Sequence, residues 1–175
     1  MKQLKLELLE DGTSTGLSVR NGAFLAEAAS VCLHSHSHGL SMMFAVEGDI
    51  SEEYELHRLD VNELATNSFA DLEEAAQFGA MGIAVAVIYD QTGCKVKRSW
   101  KGTGFDYWFG EESDGYPFQN LLRVEVSGDI KGTDSEIHSR LRKKMEQTEV
   151  SDGIGIPACA VIVEFSVPKS LTGMR

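Results

Sequence analysis

The stretch that most restricts this chain's fold runs from LLRVEVS through SEIHSRLRKKMEQTE to ACAVIVEF. In LLRVEVS apolar residues fall on every second position, the period of a strand with two unlike faces. In the next segment Ile137, Leu141 and Met145 are spaced four apart, the period of a helix with one apolar stripe. ACAVIVEF is continuously apolar, as a strand covered on both faces is. A strand, a helix and a buried strand in that order close when the helix lies across one face of a sheet. Where the strands run parallel, the crossover should be right-handed. The expected class is therefore α/β (α+β), a mixed β-sheet flanked by helices.

Upstream, KLELLE alternates Leu with charge, as a half-buried strand does, and DGTSTG reads as a turn. Asn21 is expected to cap a helix running to about residue 33, with Phe24, Ala28, Val31 and Cys32 on one face. LSMMFAVEG and EYELHRLDV read as a hairpin across a polar GDISEE turn. A second helix is expected from Ser68, where Ser68 with Asp71 resembles a cap signal, and it should weaken at Gly79 and Gly82. IAVAVIY then reads as a strand covered on both faces, followed by the strand KVKRSW, a KGTG corner and FDYWF. From Ser68 the order is helix, strand, strand, strand, helix, strand. This divides one domain into an N-terminal strand–helix–hairpin part (1–67), a core (68–168) and a C-terminal tail (169–175).

A chain of 175 residues with 42% hydrophobic content can bury one sizeable core without metal or disulfide. The net charge of -11 counts against a nucleic-acid coat protein, although a local basic surface can oppose the global sign. Cys32, Cys94 and Cys159 are odd in number and far apart, so buried, reduced thiols and a cytoplasmic location are expected. Met1–Glu10 lacks the apolar run of a signal peptide. The apolar runs Ile83–Tyr89 and Ala158–Val163 have strand length, too short to span a bilayer, so no membrane association is expected.

Chemistry concentrates in GTGFDYWF and LLRVEVSG. Alternation places Asp106 with Trp108 on one face of the first strand, and Arg123, Glu125 and Ser127 on one face of the second. On neighbouring strands Asp106 and Glu125 can converge, and a Mg²⁺ or Mn²⁺ ion would relieve the repulsion between two carboxylates. Such an ion polarises a phosphodiester and lowers the pKa of an attacking water.

This arrangement resembles the PD-(D/E)XK, or restriction-endonuclease-like, nuclease superfamily. The resemblance spans roughly 68–168 and implies an αβββαβ core with Asp106 and Glu125 as metal ligands and catalytic residues. It also implies that Glu73 or Glu74 is the additional helical acid some members use. The sequence departs from that pattern at Ser127, which stands where the family has lysine and cannot supply a positive charge to the transition state. Lys101 or Lys131 is expected to substitute if the fold brings either close.

Other residues invite weaker readings. His34, His36 and His38 could begin a zinc site but lack downstream partners, so a solvated helix-to-strand connection is expected. Trp108 and Tyr116 could anchor a protein partner or stack bases. Arg140, Lys143 and Lys144, with Arg142, make the dense basic patch of an acidic chain, and Arg123 shares Glu125's face. GTG and GIG do not extend to a phosphate loop. Ser127 and the acidic balance favour a non-catalytic or degenerate nuclease-like interaction module that holds a protein partner or a second copy. The alternative is a metal-dependent nucleic-acid phosphodiesterase using Mg²⁺ or Mn²⁺.

Overall fold

The computed structural model describes residues 1–113 and 117–175. It is an α/β protein in which four helices pack against one eight-stranded mixed sheet. In chain order the elements are β1 (Lys2–Lys5), α1 (Val19–Ser35), β2 (Ser41–Gly48), β3 (Glu52–His57), α2 (Glu63–Ser68), α3 (Leu72–Thr92), β4 (Lys95–Arg98), β5 (Tyr107–Gly110), β6 (Leu122–Asp129), α4 (Asp134–Thr148), β7 (Ala158–Glu164) and β8 (Lys169–Met174). Short 3₁₀ turns follow β1 at Leu6–Glu10, burying Leu6 and Leu9, and follow α4 at Glu149–Ile154. Strand order across the sheet is β1-β3-β2-β8-β7-β6-β5-β4.

The alternation in β6 and the apolar run of β7 behave as their sequences require. The two strands pair in parallel, with Glu125 opposite Ala160 and Val126 opposite Val161. Val124, Val126, Val161 and Val163 face the core shared with α1 and α3, whereas Ile162 faces α4, packing with Ile137 and Leu171. The hairpin expected in the N-terminal part is β2–β3, antiparallel, with Phe44 opposite Tyr54.

Several expectations are corrected. IAVAVIY is not a strand: it continues α3, whose residues 82–88 are all buried. A continuous apolar run suits a strand covered on both faces and a helix walled in by neighbours equally well. The two glycines, rather than weakening this helix, let it approach α1. A Cβ on Gly79 would lie 2.8 Å from the Ala29 Cα, and one on Gly82 would lie 3.0 Å from the Leu25 carbonyl oxygen. At 21 residues α3 is apolar enough, by length and composition, to cross a membrane, but here it lies against α1 and the sheet.

Caps also differ from expectation. Ser18, not Asn21, caps α1, accepting the Asn21 N–H at 3.3 Å. Asp71 alone caps α3, accepting from the amides of Glu73 and Glu74, while Ser68 closes α2 with its hydroxyl on the Leu64 carbonyl. The segment read as a C-terminal tail is strand β8. It lies parallel to β2 on one side and antiparallel to β7 on the other, joining the N-terminal and core strands into one sheet. Its KSLTGM sequence carries little apolar signal, and its place is set by pairing on both edges. Thr172 reinforces the join, with its hydroxyl donating to the Glu47 carbonyl and accepting the Ile50 N–H.

The tightness of the α1–α3 contact yields a quantitative expectation. Gly79→Val should lower stability by about 1–3 kcal/mol, since backbone atoms block the added methyl groups. Gly153→Ala meets nothing within 4 Å and should stay within about 0.5 kcal/mol of wild type. Urea unfolding midpoints read both.

Candidate active site

Strand β6 is buried along its length, yet one of its faces carries Arg123, Glu125 and Ser127. Each polar group therefore needs a partner, and α4 supplies them in order. Arg140 donates from Nη1 to the Ser127 hydroxyl at 3.2 Å. One turn on, the Lys144 ammonium donates to Glu125 Oε1 at 2.5 Å. A further turn on, the Thr148 carbonyl accepts from Arg123 Nη1 at 3.0 Å. Four helical residues rise about 6 Å and two strand residues about 6.6 Å, so an antiparallel helix keeps step with the strand for two intervals. The helix begins on a full capping box between Thr133 and Glu136, which fixes where its rungs fall.

Asp106 lies just before β5. Its N–H donates to the Val124 carbonyl at 2.9 Å, so it sits beside β6. Carboxylate Oδ2 accepts the Val126 N–H at 2.9 Å, and Oδ1 is held by Arg98 Nη1 at 2.8 Å. Arg98 also stacks over the Tyr107 ring, 4.9 Å from its centroid. Asp106 lies close enough to Glu125 for its charge to act on that carboxyl. The Glu125 carboxyl is raised from an ordinary 4.5 to about 7, first by burial and then by the charge and hydrogen bonding of Asp106. Lys144 opposes this rise without cancelling it. Glu125 is 3% exposed, and the cluster reaches solvent through its cations, Arg98 at 54% and Lys144 at 25% side-chain exposure. Near neutrality the pair can hold or release one proton.

The remaining expected site residues spread out. Lys101 is exposed in the turn after β4, and Lys131 is exposed after β6 with its backbone N–H donating to Asp129. Among the described residues neither ammonium bonds to Asp106 or Glu125, whose cations are Arg98 and Lys144. Glu73 and Glu74 begin α3, with Glu73 lining a hollow of about 200 Å³ beside Gln77, Asp129, Lys131 and Arg140. Arg123 is buried and spends its guanidinium on the Ile156 and Thr148 carbonyls and on Asp152. It therefore fastens the end of α4 and offers no surface for binding. Arg140 also pairs with Asp129 at 2.8 Å. Lys143 is exposed beside Glu136 and Ser139.

Trp108 is buried at 5% exposure, edge-on to Phe105 with centroids 4.6 Å apart. Its indole N–H is buried without an acceptor among the described residues. Tyr116 lies outside the described residues. The three histidines do connect helix to strand, but as tethers: His36 bonds to the Ile130 carbonyl, His38 to the Phe165 carbonyl and His34 to Arg58. Among the described residues no group of three His, Cys, Asp or Glu side chains is placed to hold a metal.

Arg98 and the role of Lys144 were not singled out from sequence. The four-residue spacing of Arg140, Lys144 and Thr148 against the two-residue spacing of Ser127, Glu125 and Arg123 is the signal that pairs Lys144 with Glu125. No protein family, curated protein or solved structure matches this chain.

Because folding raises the Glu125 pKa, the folded state holds a proton the unfolded chain has already lost. Its contribution is full below about 4.5 and is lost as pH rises through about 7. Glu125→Gln should remove this fall, so the mutant's stability relative to wild type should increase from pH 5 to pH 8. Denaturant unfolding across that range checks it, and a constant difference would reject the raised carboxyl.

Proposed function

We propose that this chain is a metal-dependent phosphodiesterase acting on nucleic acid, with a degenerate restriction-endonuclease-like core. The observation that supports this reading is Asp106 Oδ2 on the Val126 N–H, next in chain to Glu125, with the Lys144 ammonium on Glu125 at 2.5 Å. The order α3–β4–β5–β6–α4–β7, antiparallel through β6 and then parallel into β7, agrees with the αβββαβ arrangement.

The two carboxylates would give a hard divalent ion two anionic ligands, with Arg98 and Lys144 drawing back and water completing the shell. Two carboxylates, one of them kept partly protonated first by burial and then by the other's charge, would be ligands for a Mg²⁺ or Mn²⁺ ion retaining several waters. Asp106 and Glu125 would hold it, and the bound ion would polarise a phosphodiester and favour a water's deprotonation.

The chain's own groups perform the rest. Val126 N–H and Arg98 fix both oxygens of Asp106, so its orientation does not depend on a ligand. Lys144 supplies, from α4, the positive charge that Ser127 cannot supply from β6. Its flexible stem lets the ammonium move from Glu125 toward a phosphoryl oxygen as charge develops there. Burial of the pair under α4 makes that ammonium worth more than it would be in water.

The interaction-module reading loses support because Trp108, its described anchor, is packed inside. The three buried free cysteines suit a reducing compartment such as the cytoplasm.

Asp106→Ala, Glu125→Ala and Lys144→Ala should each lower Mg²⁺- or Mn²⁺-dependent cleavage of DNA or RNA by roughly 100-fold or more. Circular dichroism should show each variant folded. Folded wild type that cleaves neither polymer with either ion would reject the proposal. So would cleavage surviving in both carboxylate variants.

A further inference from the structure

The chain has two tryptophans, and the fold treats them oppositely. Trp108 is packed inside, whereas Trp100 is 62% exposed, between β4 and the turn before β5. An indole left in water forgoes a large gain from burial. Its backbone is nonetheless fastened on all sides. The Ser99 N–H donates to the Asp106 carbonyl at 2.8 Å, extending the β4–β5 ladder by one pair. The Trp100 carbonyl accepts from the Thr103 hydroxyl at 3.0 Å, and that hydroxyl is 2.6 Å from the Ser99 hydroxyl. Beyond α4, the Ser151 hydroxyl donates to the Thr103 carbonyl. A Cβ on Gly104 would lie 3.3 Å from the Val150 Cβ, so the turn is seated on the end of that helix. The ring is exposed on a backbone that is held in place.

This position adjoins the carboxylate pair. Ser99 faces Asp106 across the ladder, and Trp100 is the next residue. A pair spacing of about 5.5 Å and a chain step of about 3.8 Å put the Trp100 Cα within about 9 Å of the Asp106 Cα. Trp100 is also two residues beyond Arg98, whose guanidinium holds Asp106 Oδ1, and alternation along an extended chain puts the two on one side. Opposite stands α4, from which Lys144 donates to Gln147 as well as to Glu125.

Local charge here opposes the global sign of -11. Arg98, Lys101 and Lys144 gather at this end of the sheet, and Lys101 is exposed beside Trp100. Among the described residues no carboxylate pairs with Lys101. Glu149 and Asp152, which flank the seat of the turn at Val150 and Ser151, are engaged by Arg175 and Arg123.

We infer that the carboxylate site takes single-stranded rather than duplex nucleic acid, with an unpaired base stacked on Trp100 and a neighbouring phosphate on Lys101. An indole accepts the π face of any base, and a base offers that face when it is free of its own stack. Duplex DNA also presents a denser array of phosphates, which an acidic chain repels more strongly. Nucleic acid as the occupant rests on the phosphodiesterase reading; the preference for a single strand rests on the exposed, fixed indole.

Fluorescence anisotropy of a labelled DNA strand of roughly 20 nucleotides, titrated with the full chain in EDTA, reads binding without metal or cleavage. The strand should bind saturably, and the same strand annealed to its complement at least tenfold more weakly. Trp100→Ala should weaken strand binding at least fivefold and Trp100→Phe much less, since a phenyl ring still stacks. Lys101→Ala should lower the slope of log affinity against log salt by about 0.7, one phosphate contact on a single strand. Circular dichroism checks that the variants fold. The inference is overturned if the strand shows no saturable binding, if the duplex binds as tightly, or if folded Trp100→Ala binds as wild type does. Metal-dependent cleavage of duplex by a protein that fails these tests would leave the proposed chemistry standing without the strand preference. Trp100-dependent strand binding by a protein that cleaves neither polymer would do the reverse.

Discussion

Everything distinctive about this protein follows from placing charged and polar side chains on a strand that the fold buries completely. Arg123, Glu125 and Ser127 cannot be solvated at the centre of β6, and leaving any of them unpaired would cost about 1–3 kcal/mol or more. One helix answers all three, because its turn and the strand's two-residue step nearly match. The ladder of Arg140, Lys144 and the Thr148 carbonyl therefore fixes the position of α4 along the sheet as firmly as the apolar contact of Ile137 with Ile162. It also keeps Ser127 satisfied, with its hydroxyl accepting from Arg140 of that helix.

The same constraint shapes the environment of the two carboxylates. Glu125 is buried enough that burial is the largest cause of its raised pKa, and Asp106 is fixed beside it by a strand amide and an arginine. Lys144 reduces the repulsion without removing it. A pair poised in this way stores electrostatic stress that a proton or a divalent cation relieves. Sites of this kind gather where function needs them, although buried ion pairs in purely structural roles are perturbed too.

Much of this was legible in the sequence. The alternation in LLRVEVS and the period of SEIHSRLRKKMEQTE place β6 and α4 correctly. Local signals failed where tertiary context decides. IAVAVIY is apolar on all sides whether it is a covered strand or a helix between α1 and the sheet. Only the partners of Gly79 and Gly82, distant in sequence, resolve that choice. Strand β8 has almost no apolar pattern because its edges, not its faces, place it. Arg98 escaped notice because its contact with Asp106 depends on the antiparallel register of β4 and β5. Trp108 shares Asp106's face as expected, but Phe105 and the turn before β5 close over it.

Asp106 and Glu125 share one electrostatic environment, and the protonation of Glu125 reports on it directly. Carbon-13 NMR of the labelled Glu125 side-chain carboxyl, followed across pH in wild type and in Asp106→Asn, makes the comparison. A wild-type midpoint near 7 that falls clearly in the variant is the expected result. An ordinary midpoint near 4.5, or a raised one indifferent to Asp106, would contradict it.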